Sequence, residues 1–333
     1  MKHSKQLFMH YTTVWARLLQ QAAGSPDVAT YLLTHDARTP LFYLEAITRV
    51  LMNADQDEKK MARLNAQFKA LEDGFGMMDY YTGLIKDFKT VKLPEFQQNL
   101  GTHLIIATAH MNTLLEKYGW LTSAKDEATN NQDKSKDNRA LENIQKIFQK
   151  IDWPSDKDLH KLLKKIYKSR IAELKLQLKE PLKEVEQDVH ELRRDVRWLS
   201  IYPQAFKGFV NLKPSDPMPE AFAKYATEAI VKSPYNQLPE VEGIKHVLYM
   251  NTHAYYAMSW LIAELGELKD QGLRVLALTE WLEEHKKLSA SQAQQAAVMI
   301  IGGDQMGVDK LLGKAKDIVN QIRTDKVFAQ LLA

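Results

Sequence analysis

The chain has 333 residues, 45% of them hydrophobic and 26% charged, with a formal net charge of +3. A surplus that small does not imply wholesale electrostatic binding of nucleic acid or membrane, so any anion binding must come from local clustering. Cysteine is absent, which removes disulfides, thiolate chemistry and cysteine-ligated metals.

Length and hydrophobic content allow a large core in one large or two medium domains. The opening residues MKHSKQLFMHYTTVWARLLQQ lack the unbroken apolar stretch of a signal peptide. No later segment approaches the roughly 18 uncharged apolar residues of a membrane span, so a cytoplasmic protein that stays off membranes is expected. Only 14 glycines and 11 prolines punctuate long runs rich in Leu, Lys, Ala, Glu and Gln. That composition favours helix, and no period-two strand with hairpin turn residues stands out. The expected fold class is all-α, with on the order of ten helices.

In chain order, the first landmark is THDARTPLFYL, Thr34 to Leu44, which places His35 and Arg38 at His-x-x-Arg spacing. Asp36 and Pro40 read as helix-start chemistry, with His35 ahead of the helix. FKALEDGFGMMDYYTGLIKDF follows, ending at Phe88. His103 with His110, like His246 with His253 later, is spaced for one helical face and reads as core or interface. Ser123 to Arg139, SAKDEATNNQDKSKDNR, carries almost no apolar residue and reads as a polar linker. The expected organisation is therefore a first helical half over 1–122, a linker over 123–139 and a second helical half over 140–333.

Past the linker, LHKLLKKIYKSR stacks Lys161, Lys164, Lys165 and Lys168 on one helical stripe. Pro181 then predicts a helix start, with the helix running from Leu182 to about Ile201. Its apolar stripe is Leu182, Val185, Val189, Leu192, Val196 and Leu199. A second stripe holds His190, Arg193, Arg194 and Arg197, and the acids Glu184, Asp188, Glu191 and Asp195 fall on the remaining side. Such segregation of sign raises the electrostatic energy of the basic stripe unless something negative lies against it, which makes it a candidate anion site. Glu186, one turn before His190, is placed to hold the imidazole.

The Pro-rich stretch Lys213 to Gly243 reads as an insertion in the second half. HAYYAMSWLI reads as core filling, and WLIAELGELKDQGLRVLALTEWL echoes the first-half segment ending at Phe88, with Leu71 set against Ile262 and Asp79 against Asp270. Gly302 and Gly307 have P-loop spacing, but Val308 replaces the required lysine and no strand precedes them, so they punctuate helices.

HELRRDVRWL, its echo HDARTPLFYL and the downstream LGELKD segment together resemble the two-repeat pattern of the CHAD family, the conserved histidine α-helical domain. That resemblance implies two pseudo-symmetric helical bundles around a basic groove and binding of inorganic polyphosphate without catalysis. It assigns His190, Arg193 and Arg197 in the second half and His35 and Arg38 in the first. The chain departs from the pattern at Phe42, where the second arginine of the first motif would stand, and at Pro40. The expected site is thus His35, Arg38, His190, Arg193, Arg194, Arg197 and the four lysines Lys161, Lys164, Lys165 and Lys168. No cofactor, no metal and no sequence-specific nucleic acid are expected.

Two other classes stay open. A scaffold whose basic stripe meets an acidic protein surface satisfies the same Coulomb attraction. His35-Asp36, with His10 upstream and Asp79 or Asp87 downstream, follows the residue order of helical metal phosphohydrolases, in which such ligands hold a water-activating divalent ion.

Overall fold

A computed structural model describes residues 2–54, 58–121, 139–213, 217–302 and 306–332. The linker expected over 123–139 falls, except for Arg139, outside the described residues. The fold is predominantly helical, as the composition predicts, with two short strands among the described residues. No helix in them is long and apolar enough to cross a membrane. The chain divides into two units, residues 1–89 with 97–162, and residues 90–96 with 163–333.

The first unit opens with α1 (His3–Ala22), α2 (Val28–Thr34), α3 (Arg38–Leu51) and α4 (Glu58–Asp87). Asp27 caps α2 by accepting from the Thr30 N–H, which satisfies a donor that the first turn leaves orphaned. α3 packs along α4 and against α1. Its apolar face, Leu41, Leu44, Ile47, Val50 and Leu51, is buried. Asn65 of α4 ties the two together, donating to the Glu45 carbonyl and to Thr48 Oγ1. α5 (Pro94–Lys117) and α6 (Arg139–Gln149) follow. Aromatic rings knit this core: Phe8 meets Phe68, Phe148 and Trp153, while Trp15 meets Phe75 and Trp120.

The second unit takes most of α7 (Asp156–Gln177), a π-helical turn (Val185–His190) and α8 (Glu191–Ala205). Beyond them lie β1 (Val210–Lys213), the one-turn helices α9 (Glu220–Ala223) and α10 (Glu228–Val231), and β2 (Leu248–Asn251). α11 (Thr252–Lys286), α12 (Ala290–Ile301), α13 (Val308–Thr324) and α14 (Val327–Gln330) complete it. α11 is the spine, touching the π turn, α8, α12, α13 and α14. It starts where the Asn251 side chain accepts from Ala254 N–H, and the next helix starts on a Ser289/Gln292 capping box. Ala254, Tyr255, Ala257, Met258 and Leu261 are buried, as the core reading of HAYYAMSWLI expects. Gly302 ends α12 and Gly307 caps α13, so both glycines punctuate helices.

Three local expectations are corrected. β1 and β2 pair in parallel, Val210 to Lys213 against Leu248 to Asn251, a ladder four residues long and too short to leave a period-two signature. The helix expected from Leu182 begins instead at Val185, and its first six residues are wound as π-helix. Asp188 causes the delay: its carboxylate accepts from the N–H groups of Lys183 and Glu184 and holds that segment outside the helix. The helix also runs on to Ala205, through Pro203. Finally, of the histidines expected in the core or at an interface, only His253 is buried, and His103, His110 and His246 are exposed and so lie outside the core.

Candidate functional site

The two His-x-x-Arg motifs fold differently around similar arginines. In the first unit, His35 caps the end of α2, stacks on Tyr31 at 3.8 Å between ring centroids and bonds the Tyr31 carbonyl through Nδ1. Asp36 sits at positive φ and accepts from Thr39 Oγ1. Arg38 then opens α3 and crosses to α4. Its Nε and Nη2 donate to Glu72 Oε1 at 2.8 and 2.6 Å, and its Nη1 donates to Asp79 Oδ2 at 2.9 Å. The guanidinium lies so close over Gly76 that a Cβ there would sit 3.0 Å from Nη2. One cation therefore faces two carboxylates, and its guanidinium lies over the Phe42 ring at 5.5 Å.

In the second unit the apolar stripe is buried throughout: Leu182, Val185, Val189, Leu192, Val196 and Leu199 are all at most 5% exposed. The polar stripes are not segregated as the straight-helix projection predicts. Glu191, of the acidic stripe, forms an ion pair with Arg194, of the basic one, three residues on at 2.6 Å. Glu186 is exposed and does not hold the imidazole; the carboxylate beside His190 is Glu191, at 4.0 Å from Nε2. Nδ1 of His190 is buried without a hydrogen-bond partner among the described residues.

Arg193 is half-buried on α11. Its Nε donates to the Ile262 carbonyl at 3.1 Å, and a Cβ on Gly266 would come within 2.8 Å of that nitrogen. Lys269, one turn further along α11, is largely covered and pairs with Asp270 at 2.7 Å. Burial lowers the His190 pKa to about 4, and the charges of Lys269, Arg193 and Arg194 push in the same direction against a weaker opposing effect from Asp270. His190 is accordingly neutral at pH 7.

His190, Arg193, Arg194 and Lys269 thus share one electrostatic neighbourhood, and three permanent cations there face the carboxylates of Glu191 and Asp270. Sequence reasoning missed Lys269, because it stands alone among alternating charges on α11 and joins the cluster only through packing. Arg197, half-buried, lies one turn beyond Arg193 on α8, and its carbonyl accepts from Ser200 Oγ. Lys161, Lys164, Lys165 and Lys168 are all exposed, and Lys161 pairs with Asp158 at 3.2 Å. What anchors α7 in this unit is its opposite face, where the buried Tyr167 hydroxyl donates to the Leu199 carbonyl of α8 at 2.8 Å.

Three residues of the metal reading have separate structural tasks: His35 bonds its own helix, Asp36 bonds Thr39, and Asp79 holds Arg38, while His10 lies edge-on to Tyr11. Among the described residues no three His, Asp or Glu side chains gather as a metal site. The chain matches no family model, and no curated protein matches it.

Proposed function

We propose that this protein is a non-enzymatic binder of linear polyanions, with inorganic polyphosphate the expected ligand, and that the second unit carries the site. The ligand class rests on the motif likeness of HELRRDVRWL and HDARTPLFYL to the CHAD pattern. The observation that carries the reading is the seating of Arg193 over Gly266 of α11, one turn before the largely covered Lys269, with Arg194 beside it on α8 and the half-buried His190 in the field of all three. Such a cluster is relieved by an anion. Guanidinium groups fork onto phosphate oxygens, lysine adds a point charge, and the exposed Lys164, Lys165 and Lys168 add positive potential in the same unit.

The test is calorimetric titration with inorganic polyphosphate at low and high salt. Binding that weakens steeply with salt, and that drops about tenfold or more in Arg194→Ala and in Lys269→Ala, is the expected result. Absence of binding at low salt, or affinity unmoved by either substitution, overturns the reading.

A further inference from the structure

Residues 163–179 hold six lysines and arginines and one carboxylate, an excess larger than the +3 of all 333 residues. All of them belong to the second unit. At about 100° per residue, Lys164, Lys165, Lys168 and Lys175 fall within an arc of about 100° on α7. Lys179 follows in the turn that closes the helix, where its N–H bonds the Leu176 carbonyl. The adjoining face, Leu163, Tyr167, Ile171 and Leu174, is buried, which holds the arc in place, and all five lysines are exposed.

Elsewhere the chain neutralises its helical lysines from within the same helix. Lys69 pairs with Asp73, Lys146 with Glu142, Lys161 with Asp158 and Lys232 with Glu228, each three or four residues away. The arc on α7 departs from that habit. Its nearest carboxylate in sequence, Glu173, projects outside the arc and is taken by Arg170 at 2.8 Å. The ammonium groups of Lys164, Lys165, Lys168, Lys175 and Lys179 make no ion pair or hydrogen bond among the described residues. Like charges three and four residues apart destabilise a helix, so the arrangement gains stability from an anion laid along it.

We infer that this face of α7 is a rail for an extended phosphate chain, and that the ligand of the second unit is therefore long. The inference rests on the polyanion reading above and deepens it by naming the ligand's length. Lysine is a hydrated point charge on a flexible stem, without the fork that arginine offers to one fixed oxyanion, so a row of lysines suits an evenly charged, flexible chain. The ring of Tyr167 is buried and none is exposed in the arc to stack a base, which sets a bare phosphate chain above single-stranded nucleic acid. Leu176 aside, the apolar residues of α7 from Leu163 to Leu174 pack into the protein and are not offered to lipid. Lys164 and Lys175 stand about 16 Å apart along the axis, with Lys179 further on, so three linked phosphoryl groups meet only part of the rail.

The experiment is isothermal titration of the full chain with sodium tripolyphosphate and with long-chain sodium polyphosphate over a series of salt concentrations. Wild type should bind the long chain about tenfold or more tighter. Lys168→Gln, Lys175→Gln and Lys179→Gln combined should remove that advantage, lower the salt dependence of long-chain binding by about 2 in the log–log slope, and leave tripolyphosphate affinity within about twofold. Glutamine keeps the helix propensity of lysine, and circular dichroism checks that it does. Lys59→Gln, Lys86→Gln and Lys89→Gln combined, equally exposed in the first unit, remove the same charge and should leave both affinities near wild type. Equal affinity of wild type for the two ligands, or equal losses in the two triple variants, overturns the rail and leaves the Arg194 and Lys269 site standing. Long-chain binding lost in the α7 variant but unmoved in Arg194→Ala and Lys269→Ala upholds the rail and overturns that site. A chain that binds neither ligand overturns both.

Discussion

At the scale of single residues, burial decides what each charge can do. Glu72 keeps only 11% of its side chain exposed and Arg38 28%, so their pair is shielded from water. Removing the cation alone strands a buried carboxylate, and Arg38→Ala is expected to cost about 3 kcal/mol. Adding Glu72→Gln should recover much of that loss; urea unfolding of the single and double variants checks it, and a double variant no more stable than Arg38→Ala refutes the pairing as the cause. His190 supplies the pH dependence. Its folded pKa of about 4 lies below the ordinary 6.5, so the unfolded chain takes up the proton first. The stability tied to the neutral imidazole is therefore complete above pH 6.5 and is lost as pH falls toward 4. In denaturation series over that window wild type should lose ground against His190→Gln, and a gap between the two that is flat with pH contradicts the burial argument. The arginines show how little of this the motif reveals. His-x-x-Arg spacing is identical at His35 and His190, yet Arg38 meets carboxylates and Arg193 meets a carbonyl, because the residues that answer them lie on other helices.

At the scale of elements, apolar periodicity was legible and helix boundaries were not. Every member of the predicted stripe from Leu182 to Leu199 is buried, since a 3.6-residue repeat survives small changes in winding. The polar faces are not isolated from one another, because residues three apart on a helix are neighbours, and Glu191 reaches Arg194 at 2.6 Å, while the helix start itself moves to Val185 and opens on a π turn. That turn is seated by packing: a Cβ on Gly272 would come within 2.6 Å of Val185 Cγ1. Gly272→Ala therefore forces the π turn away from α11 and should cost about 1–3 kcal/mol, despite alanine's better helix propensity. Thermal unfolding measures the loss. A variant as stable as wild type means that the close approach does not hold the turn in place.

At the scale of the whole molecule, the small net charge sets what the surface will not do. With +3 spread over 333 residues there is no long-range field to gather polyanions of every kind. The proposed site is local, so polyphosphate should bind under physiological salt while duplex DNA of comparable charge does not; a gel shift with both probes decides, and equal retention of the two would point to a generic cationic surface instead. The sequence by itself determined that the chain is helical, which faces are apolar and that no metal-binding thiol exists. These follow from composition and from spacing within one helix, where physics is local. Which cations are neutralised was decided only by tertiary structure. Glu72 and Asp79 reach Arg38 across a helix pair, and Lys269 reaches the neighbourhood of His190 from α11. Coulomb energy depends on distance in space and on burial, and neither is written in the order of residues along the chain.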